Sequence, residues 1–343
     1  VSQERGKYIR QSILAIPSAL LNAATIPLPV DILRDSFLDA TRVVLHGCGS
    51  SYHACLIALP MLRQAFPCGI LAAPSSELLF YSERYGCERM LQVAVSRTGE
   101  TCEVVRAAQT MRELFHSRTV SISCTLGSTL EKWSDTYLAV DIAERNGPMI
   151  QSFAALSMLL LRLSLQGDIL FDSNSIASVM KREVNRILEW TEFVLHRRRF
   201  RHFVFLGSGS WYGLAKELAW KMLEMAQVSS FAFHSLEFRH GPRVILDQNT
   251  LVFLLTQPTS PSYPQEKILY DEIASQASTI AIDCRGLHTN PLSFRPIEGL
   301  SYWQSFFVQM LIGQCLAYQV AKDKGLNADF PLSLREFVEL EGL

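Results

Sequence analysis

Two short stretches carry hydroxyls and glycines where a chain turns sharply. "VSRTGET" at Val95–Thr101 places Ser96, Arg97, Thr98 and Thr101 around Gly99. "GCGSS" holds Gly47, Gly49, Ser50 and Ser51. Each follows an apolar run and precedes a segment of helical character, so each lies where a strand C-terminus meets a helix N-terminus. Free backbone N–H groups and the helix dipole favour an anion at such a junction, and hydroxyls add donors. Open parallel sheets bind ligands beyond their strand C-termini. A phosphate monoester fits this chemistry. One such loop alone reads as ordinary helix capping by Ser or Thr; two in one half of the chain favour phosphate. No GxxxxGK[ST] loop and no GxGxxG fingerprint occurs, which excludes the P-loop and dinucleotide-binding readings.

A second constellation lies further along. Glu217, Lys221 and Glu224 are spaced i, i+4, i+7 on a segment otherwise apolar around Leu218, Ala219, Trp220, Met222 and Leu223. The spacing puts the three on one helix face. Such a stripe is either a solvated face or a polar edge pointing into a cleft. "EFRHGP" follows with Glu237 and His240, the imidazole fixed on a Gly-Pro turn. A carboxylate and a histidine serving one phosphosugar imply acid–base chemistry.

Alternating strand and helix patterns position these residues. "RVVLHG", "GILAAP", "MLQVAVS", "TVSISCT" and "TYLAVDI" read as strands, with helical segments between them. Pro60 should bend or interrupt the helix after "GCGSS". The alternation predicts α/β architecture, a parallel sheet with helices on both faces. The pattern restarts at "HFVFLGSGSWYG". Gly47, Gly49, Ser50 and Tyr52 align with Gly207, Gly209, Ser210 and Tyr212. That points to a duplicated unit, with residues 1–170 as the phosphate-binding domain and 171–343 as the domain bearing the acid–base residues. The second half lacks a copy of "SRTGET", so the halves share a fold rather than a job.

Composition narrows the class. The chain of 343 residues is 48% hydrophobic with a net charge of −1. A large core is available, and nucleic acid is not expected as a partner. The basic cluster "HRRRFRH" at His196–His202 sits after a long helical segment, where arginines face the negative helix end or solvent. None of the eight cysteines forms a CxxC pair or a zinc-spaced Cys/His set. No metal or cofactor is therefore expected. No apolar signal core or membrane-length run appears, and a soluble, cytoplasmic protein is expected.

Taken together and in order, "GCGSSY", "SRTGET", "ELAWKMLE" and "LEFRHGP" resemble the sugar isomerase (SIS) domain family over residues 30–338 or so. Its members include the isomerase half of glucosamine-6-phosphate synthase, amino-sugar-phosphate isomerases and deaminases, and fructosamine-6-phosphate deglycases. The resemblance implies two tandem SIS domains, each a flavodoxin-like three-layer α/β/α unit. It implies an isomerase or deaminase acting on an amino-substituted hexose 6-phosphate through an enediol or enolamine. A deglycase or a non-catalytic phosphosugar-binding regulator are the alternatives. On matching positions it implies that Gly49, Ser50, Ser51, Ser96, Thr98 and Thr101 hold the phosphate. Arg97 stands where the synthase has glutamine and adds a positive charge there. Glu224 moves the proton between C1 and C2, with Lys221 and Glu217 beside it. His240 assists ring opening from the neighbouring subunit, which implies a homodimer. Arg335 and Glu336 fall at or beside the synthase's imine-forming lysine, and "NGPMIQSF" lacks the family's Ser-Thr-Lys. With no glutaminase domain in view, glutamine is not expected as nitrogen donor within this chain.

Overall fold

The computed structural model describes residues 5–165, 172–281, 300–332 and the single positions 292, 294, 334 and 340. Along the first half run helix α1 (Lys7–Thr25), α2 (Val30–Asp39), strand β1 (Arg42–Gly47), α3 (Ser50–Ala65), β2 (Gly69–Pro74), α4 (Ser75–Phe80) and α5 (Ser82–Tyr85). Then come β3 (Met90–Ser96), α6 (Cys102–Phe115), β4 (Arg118–Ser123), β5 (Thr136–Ala139), α7 (Gln151–Ser164) and the long α8 (Ser173–Arg197). The second half holds β6 (His202–Gly207), α9 (Ser210–Lys221), β7 (Ser229–His234), β8 (Thr250–Leu254), α10 (Tyr263–Ala274), β9 (Ser278–Ala281) and α11 (Tyr302–Asp323).

These elements form two compact units. The first is built on the described residues of 18–144 and 151–173, and carries a five-stranded sheet in the order β2-β1-β3-β4-β5. The second is built on residues 5–17, 145–150 and the described residues of 174–334, and carries a four-stranded sheet in the order β7-β6-β8-β9. Every strand pair is parallel. The two orders begin alike, with the first strand flanked by the second and third. That is the flavodoxin-type winding, and its switch point lies between β1 and β3, and again between β6 and β8. The expected α/β class and paired parallel sheets are present.

Strand residues alternate between two covered faces, so β3 is buried throughout and reads as a continuous run, "MLQVAVS". In the first unit Val44, Leu78, Met90 and Met111 share one core cluster. In the second, Val204, Phe238, Val252 and Leu269 share another. Each fully buried side chain of this kind contributes about 1.5–3 kcal/mol.

Helix α3 runs on through Pro60, so of the expected bend or interruption the interruption is absent. A proline inside a helix costs roughly 3 kcal/mol. Buried Ala54, Cys55, Ile57, Ala58 and Leu62 on the same helix offset that cost. Seven described cysteines are free thiols. Among the described residues no single helix is long and apolar enough to cross a membrane.

Candidate active site

The duplicated turns have the same backbone. Gly49 adopts φ 54°, ψ −124° and Gly209 adopts φ 59°, ψ −130°, each immediately before a helix. Both sit at positive φ, where glycine costs least. Two residues earlier, a Cβ on Gly47 would lie 2.9 Å from the carbonyl oxygen of Val95, and one on Gly207 would lie 2.3 Å from that of Trp211. The aligned glycines therefore do equivalent jobs.

In the first unit the two hydroxyl loops leave neighbouring strands. Gly47 pairs in register with Val95, so Gly49–Ser51 and Ser96–Thr101 emerge side by side at the carboxyl edge. Ser50, Ser51 and Ser96 are buried. The oxygens of Ser96 and Thr101 lie 2.9 Å apart, and the Gly99 N–H donates to Ser96 Oγ at 3.0 Å. Thr98 Oγ1 accepts from the Glu100 N–H at 3.1 Å. Neither α3 nor α6 has a side-chain cap hydrogen bond at its N-terminus. The N-cap of α3 is Gly49, which has no side chain, and Thr101, the N-cap of α6, turns its hydroxyl to Ser96 rather than to the helix amides.

Arg97 behaves differently from its loop neighbours. Its guanidinium lies 3.8 Å from Glu144 Oε2, a carboxylate 1% exposed. Glu144 also accepts from the Gln151 N–H at 2.8 Å and from the Ser152 hydroxyl, fixing the start of α7. The positive charge expected beside the phosphate is thus shared with a buried carboxylate. This partner lies 47 residues away in sequence, beyond the reach of any spacing argument.

In the second unit the turn is occupied by the protein itself. Trp211, at the position of Ser51, is buried with its ring 5.7 Å from Tyr302 and 5.0 Å from Phe306. The Glu217–Lys221–Glu224 stripe is buried as well. Glu217 and Lys221 have fully buried side chains and Glu224 is 15% exposed. Helix α9 packs on β6 and β7 on one side and on α11 on another, which takes the stripe out of water. Lys221 Nζ lies 3.2 Å from Glu217 Oε1 and 2.6 Å from Glu224 Oε2. Burial alone would push the Lys221 ammonium down. Glu217 and Glu224 together more than offset this and hold it above the ordinary lysine value. Glu224 is the member of the cluster that reaches solvent.

Glu224 does not sit on a regular α-helix. Met222–Ala226 form a π-helical turn that ends at Gln227, at φ 50°. Such turns are frequent at functional sites. The turn presents Glu224 to two donors: Lys221 on one oxygen and, on the other, Trp220 Nε1 at 2.8 Å. Sequence reasoning passed over Trp220 as part of the apolar surround. Its i, i+4 spacing to Glu224 was the available signal.

His240 follows a short 3-10 turn, Glu237–Arg239, beyond β7, and is exposed. Among the described residues its ring makes no hydrogen bond or ion pair to the Glu217–Lys221–Glu224 cluster. Glu237 is exposed on the same turn. Arg335 and Glu336 lie outside the described residues. Among the described residues no group of three or more His, Cys, Asp or Glu is placed to hold a metal ion.

The sequence profile of the SIS domain matches residues 36–165 and 198–281, one segment in each unit. The chain belongs to the SIS domain family. A glutamine–fructose-6-phosphate aminotransferase of Pyrobaculum aerophilum is 24% identical over 97% of this chain and 58% of its own length. One from Tropheryma whipplei is 28% identical over 97% of this chain and 59% of its own length. The SIS chain thus spans less than two thirds of these curated relatives. Among solved structures, a glucosamine-6-phosphate deaminase from Thermotoga maritima superposes with a TM-score of 0.76 at 26% identity, over 97% of this chain and 99% of its own. A tagatose-6-phosphate ketose/aldose isomerase from Escherichia coli shares the fold, with a TM-score of 0.82 at 21% identity and 96% of each chain covered.

Proposed function

We propose that this SIS protein is an isomerase-type phosphosugar enzyme that shifts a proton between C1 and C2 of an amino-substituted hexose 6-phosphate. The observation that carries this reading is the Glu217–Lys221–Glu224 cluster, with one carboxylate at its open end. A carboxylate that takes a proton from one carbon and returns it to the next suffices for an enediol or enolamine route. Lys221 and Trp220 orient Glu224 through one oxygen each, leaving each oxygen a further lone pair for the substrate.

The hydroxyls of Gly49–Ser51 and Ser96–Thr101 take the 6-phosphate in this reading, with the N-termini of α3 and α6 behind them. His240 serves ring opening in a homodimer; its side chain is exposed at the end of a turn that Arg239 ties down through Gln265 and Glu272, which suits a contribution to a second copy. The relatives named as deaminase and isomerase support the chemistry, and release of an amine accompanies proton transfer when the substrate is a C2 amine.

A panel of hexose, hexosamine and fructosamine 6-phosphates, assayed for keto–aldo interconversion and for released amine, tests the proposal. Turnover of at least one member supports it and identifies the substrate class. Tight binding of several members with turnover of none would instead favour a phosphosugar-sensing role.

A further inference from the structure

The second unit holds a cavity of about 760 Å³ that no step of this reaction uses. It opens at the amino ends of β6 and β7, the edge of the sheet away from the Gly207–Gly209 turn. The end of α8, the end of α11 and the turn Gln227–Ser229 enclose it. None of Glu217, Lys221, Glu224 and His240 lines it.

Its chemistry is strongly one-sided. Arg198, Arg199, Arg201 and Lys324 face it against the single carboxylate of Asp323. Two of these cations are engaged: Lys324 Nζ donates to the carbonyls of Ala226 and Gln227 at 2.8 and 3.0 Å, and Arg198 donates to Ser278 Oγ at 3.2 Å. The guanidiniums of Arg199 and Arg201 make no hydrogen bond or ion pair among the described residues. Helix-end neutralisation accounts for Lys324, which sits on terminal carbonyls. It does not account for two unpaired arginines beside a cavity. The lining also includes the apolar side chains of Leu195, Phe200, Phe203, Val228 and Val320. Planar guanidiniums match phosphate oxygens in pairs, and an aromatic wall accepts a flat ring. The volume lies in the range of small-molecule sites.

We propose that this cavity is a second ligand site, for a nucleoside diphosphate: Arg199 and Arg201 take the phosphates and the Phe200–Val228 wall takes the base. The site also touches the catalytic segment. Gln227 lines the cavity at positive φ, three residues after Glu224, and Lys324 holds the carbonyls that end the π-helical turn. A ligand drawn to Lys324 therefore bears on the turn that positions Glu224.

The test is calorimetric titration of the full chain with ADP. It rests on binding alone, so it stands or falls independently of the proposed isomerisation. Wild type is expected to bind ADP saturably at one site per chain, and Arg199→Ser with Arg201→Ser to weaken binding at least tenfold. Ser96→Ala with Thr98→Ala should leave ADP affinity unchanged. Both arginines are exposed, and circular dichroism of the double variant verifies its fold. No saturable binding by wild type, or equal affinity in the arginine variant, would overturn the site. Pyrophosphate binding as tightly as ADP would overturn the role of the apolar wall, and a single-stranded oligonucleotide binding far more tightly than ADP would overturn the ligand class.

Discussion

Replacing Lys221 by methionine keeps the length of the side chain and removes its charge, in a place where the charge has no substitute. The ammonium lies 2.6 Å from Glu224 and 3.2 Å from Glu217 and is fully buried. At an effective dielectric near 20 each attraction is roughly 5–6 kcal/mol, set against several kcal/mol of desolvation per ion. The pair need not stabilise the fold relative to an apolar cluster. Breaking it is another matter, because Glu217 is left buried, charged and without its ammonium. That situation costs about 3–5 kcal/mol. For a unit of this size it lowers the melting temperature by on the order of 10 °C. Thermal unfolding followed by far-ultraviolet circular dichroism reads the effect. Adding Glu217→Gln to Lys221→Met should recover a large part of it, since the orphan charge is gone. A loss below about 1 kcal/mol for Lys221→Met, or no recovery in the double variant, would refute the view that the cluster is held out of water.

Other perturbations separate binding, assembly and pH response. Ser96→Ala with Thr98→Ala should weaken phosphosugar binding by roughly 1.5–3 kcal/mol for each charge-assisted bond lost, with little change in turnover at saturation, measured as a split between KM and kcat. Mixing inactive Glu224→Gln chains with inactive His240→Ala chains should restore part of the activity in hybrid dimers; silence in verified heterodimers would place each site within one chain. His46, buried between Ser75 Oγ at 2.9 Å and Gln92 Oε1 at 3.2 Å, is pushed down to about 4 by burial. The neutral ring is favoured in the fold, so its contribution is intact above pH 6.5 and is lost as pH falls toward 4. Stability should drop by about 2 kcal/mol between pH 7 and pH 5 from this residue, and His46→Gln should remove that component.

Much of this was legible in the residues themselves. Apolar runs ending in glycine and hydroxyl turns marked β1, β3 and β6. The aligned glycines of the two turns share their backbone angles to within a few degrees. The hydroxyl loops were found by type and place, because strand-to-helix junctions expose amides whatever the rest of the fold does. Three features were hidden. Whether the Glu217–Lys221–Glu224 stripe faced water or protein depended on α11, some 80 residues later, packing over α9. The π-helical turn at Met222–Ala226 leaves no trace in hydrophobic periodicity, since it shifts the register within a single turn. The Arg97–Glu144 pair joins two loops that only the folded sheet brings together. At Pro60 the break that the residue signals locally is absent, because the packing of α3 keeps the helix continuous.

The central claim is that Glu224 moves the proton, and solvent exchange measures that step directly. In D2O, wild type acting on whichever phosphosugar of the panel it turns over should place deuterium at C1 or C2, followed by proton NMR. Glu224→Gln preserves shape and removes the base, so exchange should slow by about 10²–10⁴-fold while the sugar phosphate still binds. Exchange by Glu224→Gln at the wild-type rate would contradict the account and place the base elsewhere.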